Sequence, residues 1–255
     1  MSGSTRSMGA IPIHSEILAD MSYYENIYND FPLRCGKLWE NLREKAEGQG
    51  LDVTFMLMTA AAGLAGTFEH LKIQANEVGK AKDHPASKNL DQDHYAEVIK
   101  GLETAINCKI AQSPLFKSIT FKGWLFRTVL HRSEILNYLE RPFESIGTHL
   151  EIKSARDVIK IFRNALAHSN FYAFNRSGAA EIDEIAFFSE FRGKWDPDLK
   201  ECPLIGYNVI SLPHGDFAAF LDAWFKLLKD VDPSAANLRT AISSVLHEEI
   251  LEDAA

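Results

Sequence analysis

Apolar residues recur every three or four positions along most of the chain, the pattern of helices that each bury one side. From Ile11 to Asp30, the positions Ile17, Leu18, Tyr23, Tyr24, Ile27 and Tyr28 predict a helix that Pro32 ends. Gly36 to Glu47 predicts a second, striped by Leu38, Trp39, Leu42 and Ala46 and stopped at Gly48-Gln49-Gly50. Leu51 to Lys80 is the most apolar run. Its small residues Ala60 to Gly66 suit a fully buried bundle helix with close neighbours. Glu69, His70 and Lys72 follow too soon for that run to cross a membrane. Lys80 to Asp93 is polar, holds His84-Pro85 and reads as a loop. Helical spacing returns from Asp91 to Ala111. It returns again from Leu125 to Leu139, where Leu125, Val129, Arg132, Ile135, Leu136 and Leu139 form the stripe. Phe116 to Trp124 between them is ambiguous, because Ile119, Phe121 and Trp124 favour strands.

Glu151 to His168 is amphipathic. At 100° per residue, Ile152, Ala155, Val158, Ile159, Phe162, Ala165 and Leu166 fall on a core-facing arc. The opposite arc holds Arg156, Asp157, Lys160, Arg163, Asn164, Ala167 and His168. Asn164 and His168 are four apart and share a face. The aromatic run Phe171 to Phe174 then covers the bundle end, or offers a ring such as Tyr172 to a base. Ile182 to Phe191 and Tyr207 to Leu212 predict a hairpin with a long polar connection. Phe217 to Leu228 predicts a strongly amphipathic helix, and Ala235 to Leu251 a last one.

Arg163, Asn164 and His168 carry a specific chemistry. Imidazole can take a proton from a hydroxyl or return one to a leaving oxygen. A guanidinium grips a phosphate at two points and stabilises charge developing on it. A carboxamide can orient the imidazole or donate to the phosphate. RNA suits this set, because its 2′-hydroxyl is a built-in nucleophile, and no metal or other cofactor is required. Read without that chemistry, the same residues are a solvated face and a C-terminal charge that complements the helix dipole.

The string Ile161-Phe162-Arg163-Asn164-Ala165-Leu166-Ala167-His168-Ser169-Asn170-Phe171 resembles the HEPN superfamily (higher eukaryotes and prokaryotes nucleotide-binding). It is nearest to a plasmid- and chromosome-encoded subgroup of uncharacterised HEPN proteins, over roughly Leu51 to Asp230. The resemblance implies a mainly α fold: an antiparallel helical bundle with a short β-hairpin after the motif helix, plus extra terminal helices. It also implies a metal-independent endoribonuclease whose Arg-x4-His pairs converge at a homodimer interface. Arg163, Asn164 and His168 are then catalytic, and Lys160, Arg156 and Tyr172 bind substrate. By the same analogy the setting is phage defence or a toxin–antitoxin system, with an antitoxin or other regulatory protein as partner. Family toxins that continue as His-x-Tyr are controlled by modification of that tyrosine. Here Asn170 takes the position and the nearest tyrosine is Tyr172, which sets this chain apart from them.

Bulk properties narrow the picture. The net charge of −8 excludes coating of nucleic acid by bulk electrostatics, so RNA contact needs a local patch, for which Lys153, Arg156, Lys160 and Arg163 qualify. Cys35, Cys108 and Cys202 have no paired spacing, which fits a reducing cytoplasm and neither a disulfide framework nor a zinc site. The expected organisation is a disordered tail at 1–10, an N-terminal helical extension at 11–50, a helical domain at 51–230 including the hairpin at 182–212, and a C-terminal helix and tail at 231–255. The alternative to a ribonuclease is a non-catalytic helical module that binds a protein or a nucleotide.

Overall fold

The computed structural model describes residues 27–67, 100–139, 154–176 and 181–231. The expected tail at 1–10, the start of the first helix, the loop at 80–93 and the last helix lie outside the described residues. Helix α1 spans Ile27–Glu47 and α2 spans Asp52–Ala60. A π-turn at Ala61–Gly66 continues α2, and residues 100–106 are also helical. Strand β1 (Leu125–Val129) leads to the short helix α3 (Glu134–Leu139). Helix α4 (Ala155–Ala167) carries the Arg-x4-His pair and runs into β2 (Phe171–Phe174). Strands β3 (Glu184–Arg192) and β4 (Leu204–Pro213) follow, and α5 (His214–Val231) ends the described chain. Among the described residues no helix is long and apolar enough to cross a membrane.

The expectation of a mainly α, HEPN-like antiparallel bundle is overturned. The chain folds as helices packed on a four-stranded antiparallel sheet of order β1-β4-β3-β2. The two hairpin segments are its central strands rather than an appendage. Two further strands came from segments assigned otherwise. Leu125 and Val129 lie four apart, a spacing that fits both one helical turn and one face of a strand. Pairing with β4 (Leu125 opposite Ser211, Val129 opposite Tyr207) decides it, so the predicted helix is reduced to α3. Phe171–Phe174 is too short to show a period. Its pairing with β3 makes it a strand rather than a cover for a bundle end.

The sheet has two apolar faces. Ile185, Phe187, Ile210 and Leu212 enter the main core with α4 and α5. Ala186, Phe188 and Val209 join Leu125, Val129, Ile135 and Leu139 on the other face, under α3. There a buried network ties β2's end to the sheet. Arg176 Nε donates to Glu184 Oε1 at 2.6 Å, and the Ser211 hydroxyl donates to Glu184 Oε2 at 3.0 Å.

Pro32 does not end a helix. It lies buried inside α1, where it removes a backbone hydrogen bond at a cost of about 3 kcal/mol. Packing outweighs that cost, since Cys35 and Trp39 join the main core and Trp39 Nε1 donates to Asp222 Oδ1 at 2.6 Å. α1 and α2 meet α5 at glycines. A Cβ on Gly36 would lie 3.3 Å from the Phe225 ring, and one on Gly63 would lie 2.5 Å from it. The Gly63 carbonyl, at the π-turn, accepts from Thr67 Oγ1 at 2.6 Å and from Trp224 Nε1 at 3.1 Å.

Candidate active site

α4 is well defined at both ends. Ser154 caps its start: Oγ accepts from the Asp157 amide at 3.2 Å and donates to Asp157 Oδ2 at 2.7 Å. Its buried side is Ala155, Val158, Ile159, Ile161, Phe162, Ala165 and Leu166, which matches the expected core arc from Ala155 onward and adds Ile161, while Ile152 lies outside the described residues and the helix begins at Ala155 rather than at Glu151. At its end the Asn170 amide donates to Ala165 O at 2.7 Å and the Ser169 amide to Leu166 O at 3.3 Å. That bond pair is a Schellman motif, with Ser169 left-handed at φ 54°. The motif turns the chain out of the helix and straight into edge strand β2. The last helical carbonyls, His168 and the sheet edge therefore meet at one corner of the molecule.

His168 is the C-cap residue, exposed at that corner. Arg163 and Asn164 are half-buried one turn earlier, and Ala167 is exposed. Phe162 anchors the motif from beneath. Its ring lies 4.9 Å from Phe187, 5.2 Å from Phe217 and 5.4 Å from Phe220, centroid to centroid. Partial burial lowers the Arg163 pKa from its ordinary value. On an ideal helix Arg163 and His168 lie about 7.5 Å apart along the axis and roughly 140° apart around it.

The expected substrate-binding residues divide. Lys160 and Arg156 are exposed on α4, about 12 Å and about 18 Å from His168 along the axis. Neither shares a phosphate with His168 at that range. Arg156 also pairs with Glu103 at 3.7 Å. Tyr172 is close in sequence, but it stands on the sheet face away from α4, stacked on Phe188 at 5.4 Å.

Two residues at this corner escaped the sequence reading. Asn170 is held through its backbone twice: its amide bonds Ala165 and its carbonyl accepts from the Phe188 amide at 3.0 Å. Its side-chain Oδ1 accepts from Arg132 Nη2 at 3.4 Å. Arg132 comes from the turn between β1 and α3, with its guanidinium 5.3 Å from the Phe188 ring centroid. No local signal marked it, because it is 38 residues from Asn170 and fell within a stripe read as helical.

The arrangement places an exposed imidazole at the end of the helix that carries Arg163, with Arg132 hydrogen-bonded to Asn170 two residues further on. It can exchange a proton with a bound hydroxyl and hold an anion nearby. No family model, curated protein or solved structure matches this chain.

Proposed function

We propose that the protein is a metal-independent endoribonuclease of the HEPN type that works as a homodimer. The 2′-oxygen attacks the adjacent phosphorus as the bond from phosphorus to the 5′-oxygen breaks. His168 takes the 2′-hydroxyl proton or supplies one to the leaving 5′-oxygen. Arg163 clamps the scissile phosphate, and Asn164 orients His168 or the phosphate. The products are a 2′,3′-cyclic phosphate and a 5′-hydroxyl. The observation that carries this reading is the exposure of His168 at the end of the helix that presents Arg163 and Asn164. The roughly 140° between Arg163 and His168 favours bringing two helix ends together around one phosphate. The small side chain of Ala167 leaves room for a second backbone. Lys160, Arg156 and Tyr172 contact more distant parts of the RNA. A cytoplasmic setting, and control by an antitoxin or similar protein in a defence system, belong to the same proposal.

A second reading has one observation in its favour. Arg163 is half-buried, as a structural arginine would be in a module that binds a protein or a nucleotide without cutting. Incubating the full chain with RNA and a chelator separates the two. His168→Ala is expected to lose about 10² to 10⁴ in cleavage rate, with its elution as a dimer unchanged. Equal rates for variant and parent end the catalytic assignment.

A further inference from the structure

We propose that Arg132 is a phosphate-binding residue of the same site, gripping the RNA backbone beside the phosphate that His168 acts on. The proposal rests on the ribonuclease reading and adds a residue from a distant segment to it.

Three observations carry it. Arg132 converges on the loop that holds His168, since its Nη2 donates to Asn170 Oδ1 at 3.4 Å and Asn170 is fixed to α4 and to β3 by its own backbone. Its turn is built rather than loose. Glu134 Oε2 accepts from the amides of Leu130 (3.2 Å) and His131 (3.4 Å), the Ile135 amide donates to Arg132 O at 3.2 Å, and Ile135 is fully buried. That leaves the carboxylate of Glu134 committed to the turn. The guanidinium lies over Phe188 while Arg132 as a whole stays exposed. A guanidinium held over a ring keeps its fork ordered, with its outer N–H donors turned to meet phosphate oxygens.

The electrostatics of the corner require such a group. The C-terminal end of α4 carries up to roughly half a negative charge from its aligned peptide dipoles, which repels a phosphate. A site built at that end needs cations from elsewhere in the fold. Arg163 is half-buried, and Lys160 and Arg156 stand about two and about three turns back from His168 along the helix. Arg132 is the exposed cation that the fold ties directly to the loop carrying His168.

The test uses His168→Ala, which binds without cutting, and a fluorescein-labelled single-stranded RNA followed by anisotropy over a salt series. Adding Arg132→Ala is expected to weaken binding about tenfold to a hundredfold, the usual weight of a charge-assisted contact. It should also lower the slope of log affinity against log salt by about 0.7, the value for one phosphate on a single strand. Arg132→Lys should restore the slope and part of the affinity, which a residue that only covers Phe188 would not do. Unchanged affinity and slope in a folded Arg132→Ala protein overturn the subsite and leave the ribonuclease reading standing. A reduced melting temperature with the slope intact overturns it too, by assigning Arg132 to structure. Failure of the His168→Ala protein to bind RNA at all, with a parent that does not cut, removes both.

Discussion

Cys35 is 3% exposed in the main core, and burial pushes its thiol from an ordinary pKa of 9.0 up to about 11. Below pH 9 the thiol is protonated in both folded and unfolded chains and contributes no pH dependence. Above it the unfolded chain releases a proton that the folded chain retains. Stability therefore falls as pH rises from about 9 towards about 11, by up to about 2–3 kcal/mol. Denaturant melts of the parent and of Cys35→Ala check this, and the variant should lack that part of the decline. The same residue shows what one position reveals from sequence. Three unpaired cysteines told of reduced thiols, but only the packing of α1 on α5 distinguishes the buried Cys35 from the half-exposed Cys108 and Cys202.

One glycine and one serine set how the elements meet. A methyl on Gly63 would sit 2.5 Å from Phe225 Cε1 and 2.9 Å from Cys35 Cβ, whereas one on Gly66 would meet nothing within 4 Å. Gly63→Ala is expected to cost about 1–3 kcal/mol through overpacking. Gly66→Ala, with no clash, is expected to gain about 0.5–1 kcal/mol by reducing backbone freedom in the unfolded chain. Opposite signs in paired thermal melts confirm the close approach of α2's π-turn to α5. Just past the end of α4, Ser169 holds a left-handed φ of 54°. Ser169→Gly should relieve about 0.5–1 kcal/mol there, raising the melting temperature without moving His168. Of the small residues at 60–66, Ala60, Gly63 and Ala65 are buried as a packing surface, while Met58 and Gly66 are exposed in a run expected to be fully buried. The left-handed turn was not legible, because a serine stood where glycine would have announced it.

At the scale of the whole molecule, helix α4 was legible nearly residue by residue, since thirteen residues at a clear 3.6 period leave little choice. The sheet was half legible. β3 and β4 are long, rich in β-formers and separated by turn residues, while β1 and β2 are short edge strands defined by their partners. Their placement matters most for the site. β2 sets the corner where His168 emerges, and the turn after β1 brings Arg132 across to it. Arg163, Asn164 and His168 are legible as a candidate group because they are neighbours on one helix. Arg132 is not, since only the folded sheet makes it a neighbour. On the proposed mechanism, this corner breaks RNA through the ribose's own hydroxyl. The most direct measurement uses an RNA whose cleavage position has been mapped, remade with a single deoxyribose at that position and incubated with the full chain and a chelator. The all-ribose RNA is expected to be cut to a cyclic phosphate and a 5′-hydroxyl, and the deoxy-substituted bond to stay whole. Undiminished cutting at that bond, or cutting only when a divalent metal is restored, would contradict the mechanism.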